Sequence, residues 1–436
     1  MRHSPLVGCP QHVAQALLCG LLLASAALHA SRASTSVATS ALPPGQMAHG
    51  SDILFVNASA HLSASQAIGQ MLMSHVTGLT ASSRLLSRVR DGQVGSVILY
   101  RENIYNNSQL TRLTASIQRA AWAGGNPPVF IGIDQEGGSV KRVHNAPPTL
   151  SAQQMGASAT PFAVAQRQGR ATGAYLRRLG VNLDFAPVAD IPTSANNFLQ
   201  DRAFGRDQRV VIEGASGFAE GLAEGHIAGS AKHFPGLGAA GTRDSDFTLV
   251  SIGLSESRLQ KAYAPYLAMD QLGSSVAPMV MISDAMYPHL DSSGLPAVLS
   301  RRIVQGQLAV AGMSKRITIT DDLEVPSVQH YPGAAVKAVL AGDDILMFAQ
   351  QEAGSERAYR ALMSAVANHA IPKSVVLTAA MKIIELKQNL GIGWAWTSRS
   401  RPLSGEPSWA LHCGQDSLLP ASAIGGGLLS CSAVRR

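Results

Sequence analysis

Ile317-Thr318-Ile319-Thr320-Asp321-Asp322-Leu323 is a short β-rich run that ends in two carboxylates. Its β-branched residues read as a strand over 317–320, with both aspartates just past its C-terminal end. The pattern recurs along the chain. Runs at residues 96–99, 129–133, 181–185, 229–232, 279–282 and 345–348 read the same way, and an eighth strand is less clear. Between them lie stretches with apolar residues at helical spacing, such as residues 109–121, 213–224 and 356–368. Repeated β-α alternation implies a parallel sheet with helical crossovers. The polar residues decide between an open sheet and a barrel. Asp134, Asp190, Lys232-His233, Asp284 and Asp321-Asp322 all fall at or beyond strand C-termini. In a barrel those ends converge on one mouth, whereas an open sheet gathers function at a single switch point. The expectation is an α/β protein with one catalytic (β/α)8 barrel of the TIM type over residues 52–393.

The flanks read differently. Arg2 precedes an apolar run from Ala16 to Leu28 with small residues near its end. That run is short for a membrane span and suits a secretory signal, so residues 1–30 are expected to direct export to the periplasm or the medium, without stable membrane insertion. Cys19 lies inside the run and lacks the small residues that precede a lipidated cysteine, which favours cleavage without lipid. Residues 31–51 read as a flexible lead-in, and residues 394–436 as a Gly/Ser/Pro-rich tail. Of the four cysteines, Cys9 and Cys19 leave with the signal, and Cys413 and Cys431 could pair in an exported protein.

Composition narrows the class of function. The chain has 436 residues, is 46% hydrophobic and 14% charged, and carries a formal charge of +7 that never gathers into a basic run. That distribution offers no nucleic-acid footprint. No Cys-x-x-Cys or His-x-x-x-His spacing points to zinc, and no metal or cofactor is expected. Gly236-Leu237-Gly238-Ala239-Ala240-Gly241 matches G-x-G-x-x-G, but the polar residues after it make a poor helix, and a dinucleotide site needs a helix there. The run reads instead as a flexible catalytic loop. Carboxylates are the stronger signal, because glycoside hydrolysis uses one to attack or stabilise the anomeric carbon and a second group to protonate the leaving oxygen. Either Asp321 or Asp322 could instead merely cap the next helix.

Several further strings occur in order. Ile133-Asp134-Gln135-Glu136-Gly137-Gly138 is followed by Val140 and Arg142, then by Gly180-Val181-Asn182-Leu183-Asp184-Phe185-Ala186-Pro187-Val188-Ala189-Asp190. Asp201-Arg202-Ala203-Phe204-Gly205, Lys232-His233-Phe234-Pro235-Gly236, Thr320-Asp321-Asp322-Leu323 and Ala341-Gly342-Asp343-Asp344 complete the set. Together they resemble glycoside hydrolase family 3, especially its single-barrel β-N-acetylhexosaminidases. The resemblance implies Asp321 as nucleophile, and Asp134, Arg202, Lys232 and His233 as the residues that hold the sugar. Taken alone, Lys232 and His233 would read as a salt bridge and a satisfied core imidazole, and only their place at a strand end favours a functional role.

One loop departs from the family pattern. Its hexosaminidase branch has a His-Gly after Lys-His-Phe-Pro-Gly and ends the loop in Asp-Ser-His, whose His and Asp form the acid/base. Here Leu237 replaces the first histidine and the loop ends Asp244-Ser245-Asp246. Asp246 is expected to serve as the acid, with Asp244 as the alternate. The implied substrate is a β-linked amino-sugar glycoside, of wall-derived or other origin. Two rivals stand beside that reading, a silent sugar-binding barrel and a β-glucosidase or β-xylosidase. Family members of the last kind usually carry a second domain that supplies a glutamate, and the stretch after Gly393 is short for one.

Overall fold

The computed structural model describes residues 62–392. The expected signal segment, lead-in and tail, with Cys413 and Cys431, lie outside them. Eight parallel strands close into a barrel: β1 (Leu72–His75), β2 (Ser96–Leu99), β3 (Phe130–Ile133), β6 (Leu183–Asp184), β7 (Ala228–Phe234), β8 (Met279–Ile282), β9 (Ile317–Asp322) and β10 (Ile345–Phe348). β10 returns to pair with β1, Leu72 opposite Leu346, which completes the ring. Two short strands, β4 (Gln135–Gly137) and β5 (Val140–Lys141), form an antiparallel hairpin immediately after β3.

The strand that was hard to see is β1. Its Leu-Met-Ser-His sequence contains no β-branched residue, so local propensity is weak. Hydrogen bonds to neighbours on both sides make it a strand, since Met73 pairs with Ser96 and with Met347. β7 runs further than expected. The strand expected from the sequence ends at Lys232, whereas His233 and Phe234 also lie inside β7.

The crossover helices start where side chains can satisfy free backbone N–H groups. Asn106 accepts from the Gln109 N–H at 2.8 Å to open the helix Asn107–Ala123. Asp207 accepts from Arg209 and Val210 to open Gln208–Glu224. That helix packs closely on Pro161–Arg178. A Cβ on Gly217 would lie 2.3 Å from the Phe162 carbonyl, so only glycine permits the approach. Among the described residues no helix is long and apolar enough to cross a membrane.

The two ends of the barrel differ in chemistry. At the N-terminal end, the buried Lys387 ammonium donates to Gln70 Oε1 at 2.7 Å and to the Gly95 carbonyl at 2.8 Å, with its Nζ 4.9 Å from the Phe130 ring centre. Burial pushes this lysine well below its ordinary pKa. Carboxylates crowd the C-terminal end, where barrel enzymes do their chemistry.

Candidate active site

An ion-pair network lines one side of the mouth. Lys232 Nζ reaches Asp134 Oδ1 at 2.8 Å and Glu136 Oε1 at 2.7 Å. Arg202 binds Glu136 through two parallel bonds, Nε to Oε2 at 2.8 Å and Nη2 to Oε1 at 2.9 Å. Arg142 Nη2 donates to Asp134 Oδ2 at 3.0 Å and stacks over the Tyr100 ring at 5.2 Å. Burial alone would raise the pKa of both acids, but the adjacent cations outweigh it. Lys232 and Arg142 hold Asp134 well below the ordinary carboxylate range, and Arg202 and Lys232 lower Glu136. The network is therefore fully charged, and its groups are fixed before any ligand arrives.

Local folding positions these residues. The β4–β5 hairpin carries Glu136 upward from β3, and Gln135 folds its far side by donating to the Val143 and Pro147 carbonyls. Gly138 has φ +59°, and a Cβ there would lie 2.1 Å from Asp201 Oδ2. That contact brings the segment carrying Arg202 against the hairpin, and the Ser139 N–H donates to Asp201 at 3.0 Å.

Beneath the network lies Asp184, fully buried on β6. Its Oδ1 accepts from the Gln135 N–H at 2.9 Å, and its Oδ2 has no partner among the described residues. Burial, against the help of the Gln135 bond and Lys232, raises this carboxyl to about 8. It is neutral where Asp134 and Glu136 are charged.

His233 is set by Asp190. Asp190 Oδ2 stands 2.7 Å from the ring Nδ1 and 3.2 Å from the His233 N–H, and Oδ1 accepts from the Leu237 N–H at 2.6 Å. A carboxylate only accepts, so Nδ1 carries hydrogen and Nε2 is left for the mouth. The same bond to Leu237 corrects the expectation of a flexible loop. Leu237 and Ala240 are buried, the Gly238 carbonyl accepts from Thr193 N and Asn197 Nδ2 at 2.9 Å, and the Gly241 carbonyl accepts from Phe198 N at 2.7 Å. Among the described residues the run is followed by turns, and the next helix is Glu256–Lys261.

Asp321 is buried near the end of β9. Burial, then the charges of Asp284 and Asp246, raise it well above the ordinary carboxylate range, while His233 and the Asp322 N–H pull it down. The groups that act on it come from β7, from the segment after β8 and from the loop after β7. Its neighbour does something else. Asp322 accepts from Glu324 N and Ala349 N at 3.0 Å and from Gln350 Nε2 at 2.8 Å, and so ties down the loops after β9 and β10. Of the two adjacent aspartates, Asp322 is the one that ties separate loops together, whereas Asp321 Oδ1 accepts from the Asp322 N–H at 2.9 Å.

Asp246 has an exposed side chain within reach of the charges of His233 and Arg202. Partial desolvation raises its carboxyl, followed by the charge of Asp244, and His233 and Arg202 oppose the rise. Asp244 is committed to the turn. It accepts from the Asp246 N–H at 3.1 Å, and its carbonyl accepts from Phe247 and Thr248. Asp134, Arg202, Lys232, His233, Asp246 and Asp321 thus share one mouth. Glu136, Arg142, Asp190 and Asp284 join them without having been assigned a role from the sequence. Glu136, Arg142 and Asp190 belong to the quoted strings, and Asp284 stands past a strand end, so a signal existed for each. Asp343-Asp344 lies at the opposite end of the barrel, before β10. Among the described residues no group of three or more His, Cys, Asp or Glu could hold a metal ion.

Residues 64–386 match the model of the glycosyl hydrolase family 3 N-terminal domain. An uncharacterised secreted glycosyl hydrolase of Arthroderma benhamiae is 34% identical over 289 residues, covering 64% of this chain and 80% of that one. A β-hexosaminidase of Bordetella avium is 33% identical over 290 residues, covering 63% of this chain and 79% of its own. Among solved structures, a family 3 β-N-acetylglucosaminidase from a Paenibacillus species superposes with a TM-score of 0.72 at 28% identity, over 79% of this chain. This chain spans 65% of that longer protein. The β-N-acetylhexosaminidase of Beutenbergia cavernae gives a TM-score of 0.67 at 27% identity, covering 76% of this chain and 99% of that one.

Proposed function

The chain belongs to glycoside hydrolase family 3, and from that premise we propose that it is an exported, retaining exo-β-glycosidase that removes β-linked N-acetylhexosamine with Asp321 as nucleophile. The supporting observation is the surroundings of Asp321. A buried carboxyl stands at the barrel mouth beside an imidazole and a raised, water-accessible carboxyl, with a rigid charged network alongside. Retaining hydrolysis needs a nucleophile and a proton donor that face one sugar ring. In the first step the Asp321 carboxylate bonds to the anomeric carbon as the bond to the leaving oxygen breaks, and Asp246 gives that oxygen its proton. In the second step Asp246 takes a proton from water, whose oxygen displaces Asp321.

The network suits the role of a ring clamp. Asp134, Lys232 and Arg202 are held by one another and so lose little freedom on meeting sugar hydroxyls and an acetamido group. The hexosaminidase relatives support the amino-sugar preference. Export is supported by the apolar run from Ala16 to Leu28 and by the description of the Arthroderma relative as secreted. Wall fragments and chitin oligomers are the natural classes of substrate.

Aryl β-glycosides of N-acetylglucosamine, glucose and xylose, compared side by side, test the reading. Turnover of the first alone is expected. Preference for glucose or xylose overturns the choice of sugar, and tight binding of N-acetylglucosamine with no turnover identifies a sugar-binding barrel.

A further inference from the structure

Two arginines serve the charged network, and they are fixed in different ways. Arg202 meets Glu136 through two parallel bonds, which set the plane of its guanidinium. Among the described residues, Arg142 makes one hydrogen bond, from Nη2 to Asp134 Oδ2 at 3.0 Å, and its Nε is buried with no partner. A guanidinium held through one nitrogen is free to swing about that bond. A ring face limits the swing here, because Arg142 Cζ lies 5.2 Å from the centre of the Tyr100 ring.

Tyr100 follows β2 directly, and its backbone is pinned. Its N–H donates to Asn103 Oδ1 at 2.7 Å, and the fully buried Asn103 donates from Nδ2 to the Val76 carbonyl at 2.7 Å and the Gly78 carbonyl at 2.8 Å. Gln109 Nε2 adds bonds to the Asn103 carbonyl at 3.0 Å and the Leu79 carbonyl at 2.6 Å. One amide side chain therefore ties the segment after β1 to the end of β2. His75, the last residue of β1, packs near the same ring, with centroids 6.2 Å apart. Burial first, then the charges of Asp134, Asp322 and Asp246, raise the Tyr100 phenol well above its ordinary pKa. The ring is thus neutral, and it meets the cation with its π face.

We infer that Tyr100 is a positioning residue whose ring face fixes the plane of the Arg142 guanidinium and, through it, the Asp134 carboxylate of the sugar clamp. The inference rests on the reading of Asp134 as a residue that holds the sugar. Lys232 takes Asp134 Oδ1 at 2.8 Å and Arg142 takes Oδ2 at 3.0 Å, so with both oxygens held the carboxylate offers a ligand one orientation. Without the ring, Arg142 swings and the Oδ2 side loosens, while Lys232 still holds Oδ1. The cost falls on sugar binding, because preorganisation of the clamp is lost while Asp321 and Asp246 keep their own supports.

The test compares ring faces on an aryl β-glycoside of N-acetylglucosamine. Tyr100→Leu removes the face and is expected to raise KM, and the inhibition constant of free N-acetylglucosamine, about tenfold, with kcat within about threefold of wild type. Tyr100→Phe keeps the face and should bring both constants back to within about twofold. Arg142→Lys keeps the charge without the planar group and should show a similar loss. Adding Tyr100→Leu to Arg142→Lys should cost less than about twofold more, because the two act as one unit. Wild-type constants in Tyr100→Leu, an equal loss in Tyr100→Phe, a loss confined to kcat, or losses that multiply in the double variant overturn the inference. A second readout needs neither turnover nor a folded Tyr100→Leu. In wild type the buried Arg142 Nε–H, assigned by its disappearance in Arg142→Lys, should give an NMR signal moved upfield by the Tyr100 ring current. A signal at the ordinary arginine position sinks the inference even if the enzyme is active. An upfield signal in a protein that neither binds N-acetylglucosamine nor turns over any β-N-acetylglucosaminide upholds the platform and rejects the proposed function instead.

Discussion

Asp190 Oδ2 lies 2.7 Å from His233 Nδ1, and its other oxygen holds the Leu237 N–H at 2.6 Å, so one carboxylate fixes both an imidazole and the start of the loop that leads to Asp246. Asp190→Asn keeps the volume and removes the charge that enforces one tautomer. We expect kcat to fall by about 10–100-fold, the order of the cost when a group that positions the substrate is displaced. Steady-state kinetics with the aryl substrate checks this, and an unchanged kcat would show that the ring needs no orienting.

Asp321 is expected to carry the sugar covalently. A 5-fluoro analogue of the N-acetylglucosaminide should label one peptide, the one that contains Asp321, as read by mass spectrometry. Asp321→Asn should lose roughly a thousandfold or more in kcat. Labelling elsewhere, or a product of inverted configuration, contradicts the retaining mechanism.

The two acids of the loop should separate cleanly. Asp246→Asn is expected to lose about 10²–10⁴-fold on a substrate whose leaving group is a sugar, and to form the glycosyl-enzyme from the dinitrophenyl glycoside at nearly the wild-type rate. Asp244→Asn retains an acceptor for the Asp246 N–H and should cost little. The raised Asp246 carboxyl sets the pH dependence. A group that holds its proton above the ordinary carboxylate range acts as an acid to higher pH, and activity on sugar leaving groups falls as pH rises through its pKa. Equal activity of Asp246→Asn and wild type on a disaccharide would end the assignment.

Asp343 supplies a test of stability remote from the chemistry. Both of its oxygens are buried without a partner among the described residues, and burial, then the charge of Asp344, raise it well above the ordinary range. The folded state keeps this proton while the unfolded chain releases it near pH 4, as an ordinary aspartate does. The unfolded state is therefore favoured increasingly as pH rises above that value, up to the folded pKa. Asp343→Ala should raise stability by about 1–3 kcal/mol at pH 7 and by less near pH 4, measured by denaturant unfolding. A uniform loss at both pH values would mean that the carboxyl has partners worth keeping.

The sequence by itself determined the barrel and much of its mouth. Asp134, Asp284 and Asp321 stand at or just past the ends of β-rich runs, Asp190 stands in the loop after another, and strand ends in a barrel face one another. The ordered strings then pointed, through the family resemblance, to Asp321 as the proposed nucleophile and to the residues proposed to hold the sugar. Only the tertiary structure decided how those residues divide the work. β1 has no local strand signal, and it exists because β2 and β10 offer it hydrogen bonds on both edges. Asp321 and Asp322 are indistinguishable as neighbours in a string, yet Asp322 alone turns toward the Ala349 and Glu324 N–H groups. Glu136 meets Arg202 across 66 positions of sequence, and Lys232 meets Asp134 across 98, distances over which no periodicity carries information. Strand propensity and helical spacing are short-range properties that can be read residue by residue. Whether a carboxyl is charged, clamped or proton-bearing depends on burial and on charges brought from elsewhere in the chain, and these exist only once the barrel has closed.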